Sequence, residues 1–95
     1  MTFIESADPY CLREDESTRL LAGHPWRRFA VLGDSVAEGL AEPVPGYSEV
    51  QLSARIADEL RAAAPHFAYL NLGHRGLRTR EIRESQLARA LDFRP

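Results

Sequence analysis

The chain has 95 residues, of which 44% are hydrophobic and 27% charged, and its formal net charge is −2. This composition is typical of a globular protein with at most one small domain, or of part of a larger one, and it argues against disorder. The small negative charge gives no electrostatic basis for binding nucleic acid or an anionic membrane, and no run approaches the ~20 apolar residues that span a bilayer.

Several kinds of chemistry are excluded by residue type. All twelve basic residues are arginine, so no lysine is available as a phosphate ligand, a Schiff-base former or a base for serine. Cys11 is the only cysteine, which excludes an internal disulfide, and the first ten residues lack the basic start of a secretory signal. The three histidines, at 24, 66 and 74, have no metal-ligand spacing. We therefore expect a cytoplasmic protein with no metal and no cofactor.

The first 27 residues predict a helical extension packed on a main body over 28–95. Residues 1–12 are polar and irregular, and "REDESTRLLAG" (13–23) has acids in its first turn and ends on Gly23. Acidic residues at the start and a glycine at the end are typical of a short helix.

Two short apolar runs predict buried strands. "RFAVL" (28–32) is rich in strand-forming residues and ends at Gly33, and "FAYLNL" (67–72) ends at Gly73. Continuous apolar runs of this length are typical of strands in a parallel sheet, which are covered on both faces.

Apolar spacing predicts two further helices. The first spans 47–65 and ends at Pro65. Its predicted buried row is Leu52, Ile56, Leu60 and Ala64, with Val50 and Ala57 beside it. The second follows Thr79, its predicted N-cap, over 80–91. Its predicted apolar side is Leu87, Ala88 and Leu91.

The order helix, strand, helix, strand, helix predicts an α/β unit with parallel strands and a right-handed crossover. Two buried parallel strands form a poor free-standing sheet because each needs neighbours at its edges. We expect the unpaired apolar edge of 28–32 to favour self-association.

The first strand leads into Gly33-Asp34-Ser35. Ligand sites in open α/β sheets lie at the carboxyl ends of strands. A serine hydroxyl there could attack a carbonyl, while the unpaired N–H groups of the helix start stabilise the oxyanion. The stretch has no lysine of a phosphate-binding loop, and Ala37 replaces the second glycine of a G-x-S-x-G elbow. A simple helix cap by Asp34 and Ser35 remains equally open.

The second strand ends in "NLGHRG" (71–76), whose two glycines allow the backbone to approach a ligand. In a parallel pair this turn lies beside the first, at the same end of the sheet. Two such turns, one carrying a serine, predict an acyl-binding pocket.

These two blocks resemble those of the GDSL, or SGNH, family of esterases and lipases. Gly33-Asp34-Ser35 with Gly39 matches the first block. The second block is matched by Asn71, Leu72 and Gly76, with Thr79 near the next helix. The resemblance implies a three-layer α/β/α, flavodoxin-like fold and a small ester or acyl substrate. It makes Ser35 the catalytic nucleophile and assigns the oxyanion hole to the backbone N–H groups of Ser35 and Gly76. Gly33, Asp34 and Asn71 would support them.

The chain departs from the family pattern in two blocks. It has no Gly-x-Asn-Asp block and no Asp-x-x-His block, which supply the third oxyanion donor and the base. His74 could substitute as a base, but it has no obvious carboxylate to orient it, and a solvent-facing loop histidine is the competing interpretation. We expect the N-terminal part of an SGNH-type domain, weak or inactive alone. The alternative is a truncated or degenerate non-catalytic module with a role in association.

Four arginines cluster near the second block: Arg75, Arg78, Arg80 and Arg83. The cluster lacks interleaved aromatics, and Glu81 and Glu84 neutralise part of it, so a solvated surface is expected rather than a nucleic-acid site. At a pocket rim it could attract an acidic substrate group.

Overall fold

The computed structural model describes residues 4–13 and 15–95. Residues 1–3 and residue 14, which belong to the predicted N-terminal extension, lie outside this part. A 3-10 turn at Glu5–Ala7 precedes the regular elements. In chain order these are α1 (Glu16–Leu21), β1 (Arg28–Val31), α2 (Ser35–Glu38), α3 (Leu52–Ala63), β2 (Ala68–Asn71) and α4 (Thr79–Phe93).

The two strands form a parallel pair. Arg28 lies opposite Ala68, and Val31 lies opposite Asn71. Each strand is within one residue of its predicted bounds at both ends. The described chain is therefore a mixed α/β structure, and the predicted parallel pairing is confirmed.

Helices cover both faces of this pair. The rings of Phe29 and Tyr69 stack with their centroids 5.7 Å apart, and the Tyr69 hydroxyl is 3.1 Å from the hydroxyl of Ser53 in α3. The preceding residue of β1, Arg28, donates to the Phe93 carbonyl of α4 at 2.6 Å. Because successive side chains of a strand point to opposite faces, α3 and α4 lie on opposite sides of the sheet.

The predicted buried row of α3 is only partly correct. Ala57 and Leu60 lie in the core. Ala64 is half-buried, whereas Leu52, Val50 and Ile56 are exposed by 73%, 49% and 40%. The helix instead turns Ser53 toward β2, where its hydroxyl accepts a hydrogen bond from the Tyr69 hydroxyl. The helix is also shorter than the predicted 47–65.

The predicted face of α4 is wrong. The residues expected to be buried are exposed. Leu87 is exposed by 42% and Leu91 by 64%, and Ala88 is exposed as well. The packed side is Ile82, Gln86 and Ala90, spaced four residues apart, with Gln86 only 2% exposed. The amide of Gln86 hydrogen-bonds the main chain beyond β1, and this contact rotates the helix away from its leucines.

Thr79 is the first residue of α4 and not its N-cap. Arg78 occupies the cap position, and its backbone N–H donates to the carboxylate of Glu81 at 3.1 Å. Glu81 therefore satisfies a donor at the helix start, as acidic residues in the first turn commonly do.

Candidate functional site

The parallel pairing brings the two predicted turns to one end of the sheet. Beyond the strands, the N–H of Leu72 donates to the Val31 carbonyl at 2.8 Å, and the N–H of His74 donates to the Gly33 carbonyl at 3.2 Å. The chain segments after β1 and β2 thus stay hydrogen-bonded to each other past the last strand residues. We name 33–39 the first turn and 71–76 the second turn.

The first turn is built around Gly33 and a one-turn helix. Gly33 has φ +148°, and a Cβ there would lie 2.7 Å from the Cβ of Ala37, so a larger residue does not fit. Asp34 is the N-cap of α2, and its carboxylate accepts from the Val36 N–H at 3.1 Å. The capping interpretation is therefore correct for Asp34.

Ser35 is the first residue of α2 and is not its cap. Its side chain is half-buried, and its hydroxyl makes no hydrogen bond within 4–13 and 15–95. Since Asp34 caps the helix, the hydroxyl of Ser35 has no structural role among these residues. The helix has only four residues, so its dipole contributes less than a long helix would.

Asn71 joins the two turns. Its side-chain amide donates to the Ala37 carbonyl at 2.7 Å, and its side-chain oxygen accepts from the Gly73 N–H at 2.8 Å. One carboxamide thus holds α2 against the second turn.

The turns also meet through their backbones at Gly73. A Cβ on Gly73 would collide with the backbone nitrogen of Glu38 and would lie 2.6 Å from the carbonyl carbon of Ala37. The absence of a side chain lets α2 and the second turn touch directly, which no other residue allows.

Gly76 lies at the exposed end of the second turn with φ +81°, and an added Cβ would meet no atom within 4 Å. Among the described residues, the backbone N–H groups of Gly76 and Ser35 have no hydrogen-bond partner. Glycine is required at Gly76 by its backbone angle, not by space.

An ion pair closes the junction on its outer side. The carboxylate of Glu38 accepts from the Arg75 backbone N–H at 2.7 Å and from its guanidinium at 3.3 Å. The hydrogen bond from the Arg75 side chain, then that from its backbone, lowers the pKa of Glu38 below its ordinary value. Arg75 thus stabilises the contact between the two turns.

The Glu38 pKa predicts how this contact depends on pH. Because the pKa is depressed in the folded protein, the stabilisation is complete above the ordinary value of 4.5 and is lost as the pH falls through the folded value. Between pH 6 and pH 3, the Tm of the wild type should fall more steeply than that of Glu38→Gln. Parallel Tm curves for the two proteins would contradict the assignment of this pair.

No histidine side chain hydrogen-bonds Ser35 among the described residues. His74 is exposed, and its Nδ1 lies 2.9 Å from the carbonyl of the adjacent Arg75. His24 bonds the Leu60 carbonyl at 2.8 Å and stacks on Trp26, away from the turns. His66 is exposed in the loop before β2. In the described ranges, no group of three His, Cys, Asp or Glu side chains is placed to hold a metal ion.

The clustered arginines lie on different surfaces of the protein. Arg75 faces Glu38 at the junction, whereas Arg80 and Arg83 line a shallow groove of about 440 Å³ on the outer side of α4. A larger groove, of about 790 Å³, lies beside the first turn. Its lining is mainly apolar and includes Val31, Val36, Leu40, Val44 and Leu52.

Sequence reasoning missed a polar network beneath the turns. The Tyr69 hydroxyl receives hydrogen bonds from Gln51 and Asn71, both at 3.2 Å, and the Gln51 side-chain oxygen accepts from the Ser53 hydroxyl at 2.7 Å. Gln86 was missed as well. The signal for the network was the tyrosine two residues before Asn71 in the same strand, because residues two apart in a strand point to the same face.

The chain matches no protein-family model, and no curated protein or solved structure is significantly similar to it. In the part of the chain that the structure describes, none of the helices has the length and apolar character needed to cross a membrane.

Proposed function

We propose that residues 28–95 carry the nucleophile part of a GDSL/SGNH-type ester hydrolase, an esterase or lipase, in which Ser35 forms an acyl-enzyme. The observation that supports this most is the junction of the two turns. A serine hydroxyl without a structural bond stands on one turn, and a glycine with a free N–H stands on the other, at the same end of a parallel pair.

In the proposed reaction, the Ser35 oxygen attacks the carbonyl carbon of the ester and forms the C–O bond, while the hydroxyl proton leaves to a base. The carbonyl electron pair moves onto oxygen, where the N–H groups of Ser35 and Gly76 stabilise the charge. The C–O bond to the alcohol then breaks, and the alcohol departs with a proton. Water cleaves the acyl-enzyme in the same way and restores the hydroxyl.

Among the described residues, none hydrogen-bonds the Ser35 hydroxyl as a base would. Asp34 is engaged as a cap, and His74 is exposed with its Nδ1 on the Arg75 carbonyl. With water as the base, attack by Ser35 should be slow, because binding and the oxyanion hole alone supply about 10³–10⁴ over water and the missing base removes most of the further acceleration. Such a rate is enough to detect with an activated ester.

The proposal includes a sheet that is larger than β1 and β2. In the flavodoxin-like order, β1 is an inner strand, and the apolar surfaces beside it become part of a three-layer α/β/α core. The proposed setting is the cytoplasm, and the substrate is a small ester or acyl compound. The test is hydrolysis of p-nitrophenyl acetate by the wild type and Ser35→Ala, which should differ if Ser35 is the nucleophile.

The open edge of β1 supports a second candidate function, a non-catalytic module that associates with a second copy of itself. The carbonyls of Arg27 and Val31 face β2, so by alternation the backbone groups of Arg28, Ala30 and Leu32 point to the other edge. No strand pairs with that edge in the described part of the chain. Unpaired edges of this kind are templates for strand addition.

This association can be tested by sedimentation at increasing protein concentration. The wild type should dimerise, and Leu32→Lys should remain monomeric at the same concentrations because a charge at the edge disfavours pairing. Leu20→Lys is the matched control, since Leu20 is 71% exposed in α1, away from the edge. A wild type that stays monomeric throughout would exclude this candidate.

A further inference from the structure

Gln86 is the most deeply buried polar residue of the described chain, with 2% of its surface exposed. Its side-chain oxygen accepts from the Gly33 N–H at 2.9 Å, and its side-chain nitrogen donates to the Gly33 carbonyl at 2.9 Å. Both polar groups of one glycine are therefore held by one amide, in the residue two positions before Ser35. Buried amides usually have hydrogen-bond partners, but two bonds to the same residue fix the orientation of Gly33 as well as its position.

The Gly33 carbonyl is shared between the two turns. It accepts from Gln86 and also from the His74 N–H at 3.2 Å. Gln86 therefore holds the point where the first turn is bonded to the second. A change in this amide would move Ser35 on one side and the segment leading to Gly76 on the other.

We propose that Gln86 is a positioning residue that sets the Ser35 hydroxyl and the two backbone donors in register for ester hydrolysis. This inference rests on the proposed hydrolase function. Gln86 does not touch the substrate; it acts through the peptide groups of Gly33. A misplacement of about 1 Å in an active site can reduce a rate by about 10²-fold, so the effect should be visible even for a slow enzyme.

The first experiment compares Gln86→Met with Ile82→Ala. Met has nearly the volume of Gln but makes neither hydrogen bond, and Ile82 lies one turn earlier on the same packed side of α4 with a side chain that cannot hydrogen-bond Gly33. Per folded molecule, Gln86→Met should lose about 10-fold or more of the Ser35-dependent kcat with less than about a 2-fold change in KM. Ile82→Ala should keep its rate per folded molecule. Equal losses in both variants would overturn the proposal.

The second experiment uses Gln86→Glu and pH. A protonated glutamic acid has one O–H donor and one carbonyl acceptor, so it can restore both bonds to Gly33, whereas the carboxylate cannot. Burial raises the pKa of such a carboxyl. The rate of Gln86→Glu relative to the wild type should therefore rise as the pH falls through that value. A flat ratio across pH 4–8 would contradict positioning by this amide.

An NMR measurement separates failure of this inference from failure of the hydrolase proposal. If the wild type and Ser35→Ala hydrolyse esters equally, the hydrolase proposal is wrong and the positioning role falls with it. The amide signals of Gly33 and His74 then still report whether Gln86 couples the turns. If the rate does depend on Ser35, unchanged His74 signals in Gln86→Met would overturn the coupling.

Discussion

Ser35→Ala should abolish the hydrolysis of p-nitrophenyl acetate that passes through an acyl-enzyme and leave only the rate that binding and the oxyanion hole support. We expect a loss of about 10-fold in the total rate, because the hydroxyl is the only proposed nucleophile while both backbone donors remain. Stability should change by less than about 1 kcal/mol, since the hydroxyl makes no hydrogen bond to a described residue. A large loss of rate with a small loss of stability is the pattern of a nucleophile.

Ser85→Ala is the control for this variant. Ser85 is exposed on α4 and donates to the Glu81 carbonyl within its own helix at 2.6 Å, with no hydrogen bond to either turn. Its removal should leave the rate unchanged. If Ser35→Ala and Ser85→Ala hydrolyse the ester as fast as the wild type, Ser35 is not the nucleophile.

Gly73→Ala should cause the largest loss of stability among single glycine substitutions in the turns. The added methyl group would collide with the backbone of Glu38 and Ala37, not with a movable side chain, so α2 and the second turn would have to separate. We expect a destabilisation of about 3 kcal/mol, at the upper end for overpacking, because backbone cannot rotate away. Chemical denaturation monitored by circular dichroism measures this change.

Gly76→Ala and Gly23→Ala provide matched controls. Both glycines have positive φ, +81° and +73°, and both have open space where the methyl group would lie. They should show only the backbone strain of about 1–2 kcal/mol. If Gly73→Ala is no worse than these two, the close contact between the turns is not present in solution.

The strands and turns could be predicted because their signals are local. An apolar run that ends in glycine specifies a buried strand and its end, as at Gly33 and Gly73, and parallel pairing then follows from the intervening helix. The convergence of the two turns is a consequence of that topology. It required no knowledge of side-chain contacts.

The helix faces could not be predicted because tertiary contacts outweighed the leucine pattern. In α4 the sheet side is chosen by Gln86, whose bonds to Gly33 link residues 53 positions apart in the chain, and by the small Ala90. Leu87 and Leu91 are left exposed as a result. In α3, Ser53 faces the sheet because its hydroxyl is hydrogen-bonded to Tyr69. A pattern of apolar residues does not include serine, so it could not predict this contact.

Only part of the candidate site could be predicted from the sequence. Gly33, Asp34, Ser35 and Gly76 stand out as motif residues, and Asp34 proved to be a helix cap. The double role of Asn71, on Ala37 and on Gly73, depends on how α2 packs against the second turn. This packing follows from glycine contacts that only the three-dimensional arrangement reveals.

Covalent trapping with a fluorophosphonate, followed by peptide mapping in a mass spectrometer, tests the nucleophile most directly. The chain has six serines, so the reagent offers an internal comparison. A phosphonyl adduct concentrated on Ser35, and lost on unfolding in denaturant, is the expected result. An adduct spread evenly over the serines, or absent from Ser35 in the folded protein, would contradict the claim.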